Sequence, residues 1–401
     1  MNRATVCKRI SPKIFLYYRE SLVNMSVEET RLDPVSEQAQ DEYIIDTDFH
    51  LGARGEIIEY IEDDLIREKV ENYGMPPLGG DLSYGYAMES TEDPEEFHGA
   101  ALNADEIEEA MEVLCVDVAI VEPSNFIPFR HSKYDSMKTA LAKAYNDYLV
   151  DRVVDVERGI YGGLVVPTWD VEVGVEELER YGNHPGIATA QGWAPNYRHI
   201  SYEELDPVND RLVDLDLPWM LHAGYDADQG DPNTRLNELA STFMEYAVNY
   251  ITSGVTKTTT HMVSSGFFDK YPEINVVFSE LGHNWMPYIA YMMDEYYELG
   301  PNDVSLRKRK MEADEELLDR LPSEYVYDNI YVNTQPIKLP DSPREAEGLF
   351  NACKADQTWL FSTDFPHSTM DIPSWVFDHP KIDNDLRKRI LHENAEEVYR
   401  L

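Results

Sequence analysis

An α/β fold, a (β/α)8 TIM barrel built as a single domain with insertions, is what this 401-residue chain predicts. Three observations carry it. Eight short runs of β-branched or aromatic residues alternate with longer stretches of helical periodicity. Parallel strands need crossover segments between them, and the helical stretches supply one each time. Several of the runs also end in side chains suited to binding a metal, all at the end of the strand where barrel enzymes keep their chemistry.

The first run is Tyr43-Ile44-Ile45-Asp46-Thr47-Asp48-Phe49. Residues 51–102 follow it, rich in Gly, Pro and acids, and read as an insertion and candidate lid. Asn103-Ala104-Asp105-Glu106-Ile107 then opens a helix with a capping residue and first-turn acids. The second, third and fourth runs are residues 116–121, 160–166 and 186–190. The fifth is Pro218-Trp219-Met220-Leu221-His222, and the sixth is Ile274-Asn275-Val276-Val277-Phe278-Ser279-Glu280. Residues 300–327, with Arg307-Lys308-Arg309-Lys310, form a second insertion before the seventh run at 329–333. The eighth run, 358–362, precedes a last helical stretch from Asn384 to Tyr399, with Leu386, Ile390 and Val398 at helical intervals.

Residues 1–42 stand apart as a disordered tail, basic at first and then acidic. Arg3, Lys8, Arg9, Lys13 and Arg19 face only Glu20 before Met25 opens an acidic run, so translation is expected to start at Met25. N-terminal sequencing of the native protein checks this, and a peptide from the first 24 residues would refute it.

Charge narrows the function. With 76 acidic against 34 basic residues the formal charge is -42, so nucleic acid and anionic membranes are repelled. Acids spread along the whole chain, with Arg outnumbering Lys, fit a halophilic protein folded in concentrated salt. Cys7, Cys115 and Cys353 have no paired spacing, which argues against disulfides and a thiolate zinc site and places the protein in the reducing cytoplasm. No apolar run is long enough to span a bilayer.

Chemistry is expected at the strand ends. Asp48 and His50 lie two apart on an extended chain and share a face. His222 ends the fifth run, Glu280 ends the sixth with His283 three residues on, and Asp364 follows the eighth. Nitrogen and oxygen ligands without thiolate suit one divalent ion, zinc first, with manganese or iron as alternatives. Each residue also has a plainer role, as turn cap or satisfied core histidine. Four strand ends offering ligands at one mouth favour the metal site.

These residues carry a resemblance. Ile45-Asp46-Thr47-Asp48-Phe49-His50, Trp219-Met220-Leu221-His222, Gly266-Phe267-Phe268-Asp269-Lys270-Tyr271-Pro272, Val276-Val277-Phe278-Ser279-Glu280-Leu281-Gly282 and Phe361-Ser362-Thr363-Asp364-Phe365-Pro366-His367 resemble the amidohydrolase-related family. Glu393-Asn394-Ala395 before Tyr399 extends the match, which covers about residues 43 to 401. This is the branch of the amidohydrolase superfamily that includes aminocarboxymuconate semialdehyde decarboxylase. The resemblance implies a distorted barrel, a mononuclear centre held by Asp48, His50, His222 and Asp364, and pairing of copies through outer helices. Two departures stand out. Asp48 replaces the first histidine of a His-x-His pair, and its added charge favours a harder metal. Glu280 replaces the histidine usual after strand six, leaving Glu280 or His283 to carry protons.

The first expected function is a metal-dependent hydrolase: the ion lowers the pKa of water from about 15.7 to about 7, and Asp364 takes the proton. The alternative is a non-oxidative decarboxylase of an aromatic or unsaturated carboxylic acid, with Asp364 delivering a proton to the carbon that loses CO₂. A third is a non-catalytic, metal-containing binding protein. Arg54 and Arg130 are candidate cations for a small carboxylate substrate, and Trp285 is a candidate wall of its pocket. His261 reads as structural and His131 as a solvated loop residue.

Overall fold

The computed structural model describes residues 42–52, 55–73, 103–123, 134–194, 199–223, 242–300, 318–336, 338–366, 370–373, 376 and 379–401. The expectations for residues 1–41, for Arg54, Arg130 and His131, and for much of both insertions lie outside them.

All eight runs become strands: β1 (Ile45–Leu51), β2 (Val118–Pro123), β3 (Ile160–Val165), β4 (Ile187–Ala194), β5 (Trp219–Ala223), β6 (Val276–Ser279), β7 (Ile330–Asn333) and β8 (Trp359–Leu360). Each pairs in parallel with the next in sequence, in a single sheet ordered β1 to β8. Beyond the short β8, hydrogen bonds tie the chain back to β1. Thr47 N–H donates to the Phe361 carbonyl at 3.0 Å, Asp364 N–H to Asp48 at 3.0 Å and His50 N–H to Phe365 at 2.9 Å. The result is a nearly closed, distorted barrel.

Among the described residues the α-helices of six residues or more are α1 (Asp64–Tyr73), α2 (Ala104–Leu114), α3 (Asp135–Tyr148), α4 (Val171–Tyr181), α5 (Asp206–Leu215), α6 (Phe243–Ser264), α7 (Trp285–Leu299), α8 (Pro322–Asn329), α9 (Pro343–Cys353) and α10 (Asn394–Tyr399). Asn103 caps α2 as expected, its Oδ1 accepting from the N–H groups of Asp105 at 3.0 Å and Glu106 at 3.2 Å. Among the described residues, no helix is long and apolar enough to cross a membrane.

The core has two layers. Ile45, Val118, Ile120, Ala188, Met220, Val277 and Leu360 fill the barrel interior, joined from the C-terminal helix by Ala395, Val398 and Tyr399. A larger shell between strands and helices holds Ala119, Val121, Trp219, Leu221, Val276, Phe278 and Trp359. Strand residues alternate between the two layers. That alternation positions the site: following Met220 inward leads to His222, Val277 to Ser279, and Ile120 to Glu122. In β1 the pairing shifts between Asp46 and Phe49. Phe49 and Leu51 then join the outer shell, and Asp48 and His50 turn inward.

Candidate metal centre

Four side chains converge at the mouth: Asp48 and His50 from β1, Glu122 from β2 and His222 from β5. One ligand atom from each lies within 4.8 Å of all the others, and all four residues are buried. His222 Nε2 is 3.5 Å from Glu122 Oε1 and 3.9 Å from Asp48 Oδ1. His50 Nε2 is 3.2 Å from Asp48 Oδ1 and 3.9 Å from Glu122 Oε1. The two imidazoles stand edge to face, 5.1 Å apart.

In Asp48, Glu122 and His222 the second atom is tied down, so the first is aimed at the centre. His222 Nδ1–H donates to the Ala223 carbonyl, which leaves the Nε2 lone pair for a ligand bond. Gln191 Nε2 donates to Glu122 Oε2 at 2.7 Å. Ser279 Oγ donates to Asp48 Oδ2 at 2.5 Å and itself accepts from Asn333 Nδ2 at 2.6 Å, while Thr47 Oγ1 donates to Asn333 Oδ1 at 3.1 Å. Asp48 Oδ1, Glu122 Oε1 and His222 Nε2 remain buried without a hydrogen bond. Such atoms cost roughly 1–3 kcal/mol each when unmet, more when charged.

Electrostatics point the same way. Burial, then the facing Asp48 carboxylate, pushes the Glu122 carboxyl well above its usual range. Burial lowers His222 to about 4, so its imidazole is neutral and ready to coordinate. Two carboxylates turned toward each other beside two imidazoles make a site for one divalent cation, which meets all the orphaned atoms at once.

Asp364 and Glu280 border this cluster. Asp364 Oδ1 is 3.0 Å from His50 Nε2, and Glu280 Oε2 is 3.6 Å from His222 Nε2. Both take left-handed backbone conformations, φ 59° for Asp364 and 54° for Glu280, which turn their side chains at the strand ends. Glu280 is 30% exposed whereas Asp364 is fully buried, so Glu280 forms the lip. Beneath them Asp46 accepts from the Thr363 N–H at 3.0 Å and from the Thr363 hydroxyl, and burial raises its carboxyl to about 8.

Other sequence candidates sit elsewhere. The His283 ring lies 4.0 Å from the Trp359 indole, in the outer shell, where burial lowers it to about 3. Trp285 packs edge-on against Phe278, also in that shell, and its Nε1 donates to the Gly282 carbonyl at 2.9 Å. His261, on α6, stacks on His199 at 4.8 Å and meets Ser201 Oγ at 2.6 Å.

Sequence reading missed Glu122. The second run reads as ending at Val121, yet the alternation Val118-Ala119-Ile120-Val121-Glu122 continues one residue further and brings Glu122 to the inner face.

Residues 45–401 match the model of the family described as Amidohydrolase. Gamma-resorcylate decarboxylase of Polaromonas sp. (strain JS666 / ATCC BAA-500) is 25% identical over 278 residues, covering 65% of this chain and 76% of that one. A solved structure of 5-carboxyvanillate decarboxylase from Novosphingobium aromaticivorans, with manganese and 4-hydroxy-3-methoxy-5-nitrobenzoic acid, superposes with a TM-score of 0.66 at 19% identity, over 92% of this chain and 99% of that one. Dihydroxybenzoic acid decarboxylase from Polaromonas sp. JS666, with manganese and 2-nitroresorcinol, gives 0.63 at 18% identity, over 90% and 97%. The two structural likenesses establish the barrel. With the metal-coordinating cluster at its mouth, this chain is an enzyme.

Proposed function

The chain belongs to the amidohydrolase family, and from that premise we propose that it is a metal-dependent, non-oxidative decarboxylase of a hydroxylated aromatic carboxylic acid. The observation that carries this reading is the buried quartet Asp48, His50, Glu122 and His222 with Asp364 beside it. Hydrolysis, the first expectation from sequence, uses the same groups. The balance turns on the relatives, most of which are named as decarboxylases, both by sequence and by structure.

In this reading Asp48, His50, Glu122 and His222 hold one ion. Manganese fits better than the expected zinc, because carboxylate oxygens from Asp48 and Glu122 make a hard ligand set, and the two solved decarboxylases described above carry manganese. The bound ion supplies Lewis-acid polarisation of the substrate's carboxylate and its neighbouring oxygen. Asp364 carries the proton: it protonates the ring carbon bearing the carboxylate, the C–C bond breaks, its electron pair returns to the ring, and CO₂ leaves. Solvent then reprotonates Asp364. Glu280, at the lip, accepts a hydrogen bond from a substrate hydroxyl and so orients the ring. Arg54 and Arg130 are proposed to steady the anionic substrate.

The test is a screen of manganese-loaded protein in concentrated KCl, a medium chosen for the charge of -42. Release of CO₂ from 2,6-dihydroxybenzoate or 5-carboxyvanillate, with one solvent hydrogen in the product ring, is the expected outcome. Hydrolysis of esters or lactones without CO₂ release would overturn the reading in favour of the hydrolase.

A further inference from the structure

A hydrogen-bonded chain with only one possible direction runs behind the metal centre. Asp48, as a carboxylate, accepts at both oxygens and has no proton to give. The Ser279 hydroxyl, 2.5 Å from Asp48 Oδ2, must therefore donate to it, and toward Asn333, 2.6 Å away, Ser279 can only accept. That requires the amide nitrogen of Asn333 to face Ser279 and its oxygen to face Thr47, whose hydroxyl lies 3.1 Å from Oδ1. The second Nδ2–H reaches the Thr47 carbonyl at 3.3 Å. Thr47, Asp48, Ser279 and Asn333 are all fully buried, so bulk water cannot stand in for a missing partner.

The place of Asn333 in the fold adds to this. It ends β7, and it is one of only two positions at which β7 pairs with β8. The Thr47 hydroxyl is also 2.9 Å from the carbonyl of Phe361, just past β8. One side chain thus ties β7 to β6 and β1 where the barrel is joined most thinly. The position needs a group that gives a proton on one side and takes one on the other. An amide does both, an aspartate in its place has nothing to donate, and a leucine does neither.

We propose that Asn333 is a positioning residue for the metal: through Ser279 it fixes which Asp48 oxygen faces the centre, and so sets how tightly the ion is held. This rests on the metal-dependent reading above and adds a residue outside the ligand set. Without a donor on Oδ2 the Asp48 carboxylate is free to turn, and the direction of the lone pairs it offers is lost. The sign of the effect separates this from charge alone. Asn333→Asp places a further negative charge near a cation site, which by Coulomb attraction tightens binding. It also draws the Ser279 proton away from Asp48, which loosens binding, and the proposal requires the second effect to win.

Manganese affinity of the full chain in concentrated KCl, read by competition with a chelating dye, tests this. Asn333→Asp is expected to weaken binding about 10–100-fold. Asn333→Leu, which adds no buried charge and serves if the aspartate variant does not fold, is expected to weaken it in the same range. On a Ser279→Ala background neither substitution is expected to weaken it further, because the link through which Asn333 acts is already gone. Wild-type or tighter affinity in Asn333→Leu overturns the proposal and leaves the metal site standing. So does a loss of equal size with and without Ser279, which makes Asn333 a general support of the barrel. A wild type that binds no manganese overturns the metal-dependent reading as well.

Discussion

The mouth and the floor of this barrel are made by the same strands and share almost no chemistry. At the floor, Val118, Ile120, Met220 and Val277 meet Ala395, Val398 and Tyr399 in a sealed apolar plug. The Tyr399 hydroxyl donates to the Met220 sulfur, at 3.9 Å. Two residues further along the same strands, about 6.6 Å of chain, Glu122 replaces Ile120, His222 replaces Met220 and Ser279 replaces Val277. There the interior holds buried ligand atoms with no hydrogen bond. Stability is concentrated below and function above, so the enzyme tolerates an electrostatically costly mouth because the floor does not depend on it.

The largest expected effect breaks the mouth alone. Asp364→Asn should lower kcat by about 10²–10⁴-fold, the range of a lost proton carrier, with an unfolding midpoint close to wild type. An unchanged kcat in a steady-state assay would remove Asp364 from the chemistry. Next in size is the floor. Tyr399→Ala should cost about 3–5 kcal/mol in denaturant unfolding, as for other large-to-small changes at buried aromatics, while metal affinity of the folded fraction stays the same. If metal binding weakened in parallel, the two ends would be coupled and the comparison would fail.

A smaller effect lies where the layers meet. Ser279→Ala removes the donor that turns Asp48 toward the centre, and should weaken metal binding about 10–100-fold. Competition titration with a chelating dye would read it. Restoration by Ser279→Thr would separate orientation from packing.

The effect that is smallest near neutral pH concerns acid titration. Burial holds His283 neutral in the fold, its pKa lowered from 6.5 to about 3. The unfolded chain therefore takes up its proton first as pH falls. His283 has no effect on the pH dependence of stability above 6.5, and it removes up to about 1.4 kcal/mol per pH unit between 6.5 and about 3. Equilibrium unfolding of His283→Leu should have a shallower acid limb than wild type, and equal slopes would place that sensitivity elsewhere.

Much of this organisation is legible in the chain, because local rules settle it. The eight strands follow from β-branched runs between helical stretches, and Asp48, His50, His222 and Asp364 from their places at strand ends. What is not legible depends on tertiary contact. The eighth run reads as residues 358–362, but only Trp359 and Leu360 pair with β7. Phe361 and Asp364 instead bond across to β1. The fourth run reads as ending at Ala190, while β4 continues to Ala194, and so the reading omits Gln191, the residue that holds Glu122. That Val398 and Tyr399 plug the barrel cannot be seen in a helical periodicity, which marks a buried face without naming what buries it.

The central claim, that the mouth holds one functional ion, is tested most directly by metal content. Protein purified in concentrated KCl would be measured by mass spectrometry beside Glu122→Ala and His222→Ala. About one divalent ion per chain in wild type, with less than about a tenth of that in both variants, is the expected result. No metal in wild type, or occupancy unchanged by both substitutions, would contradict it.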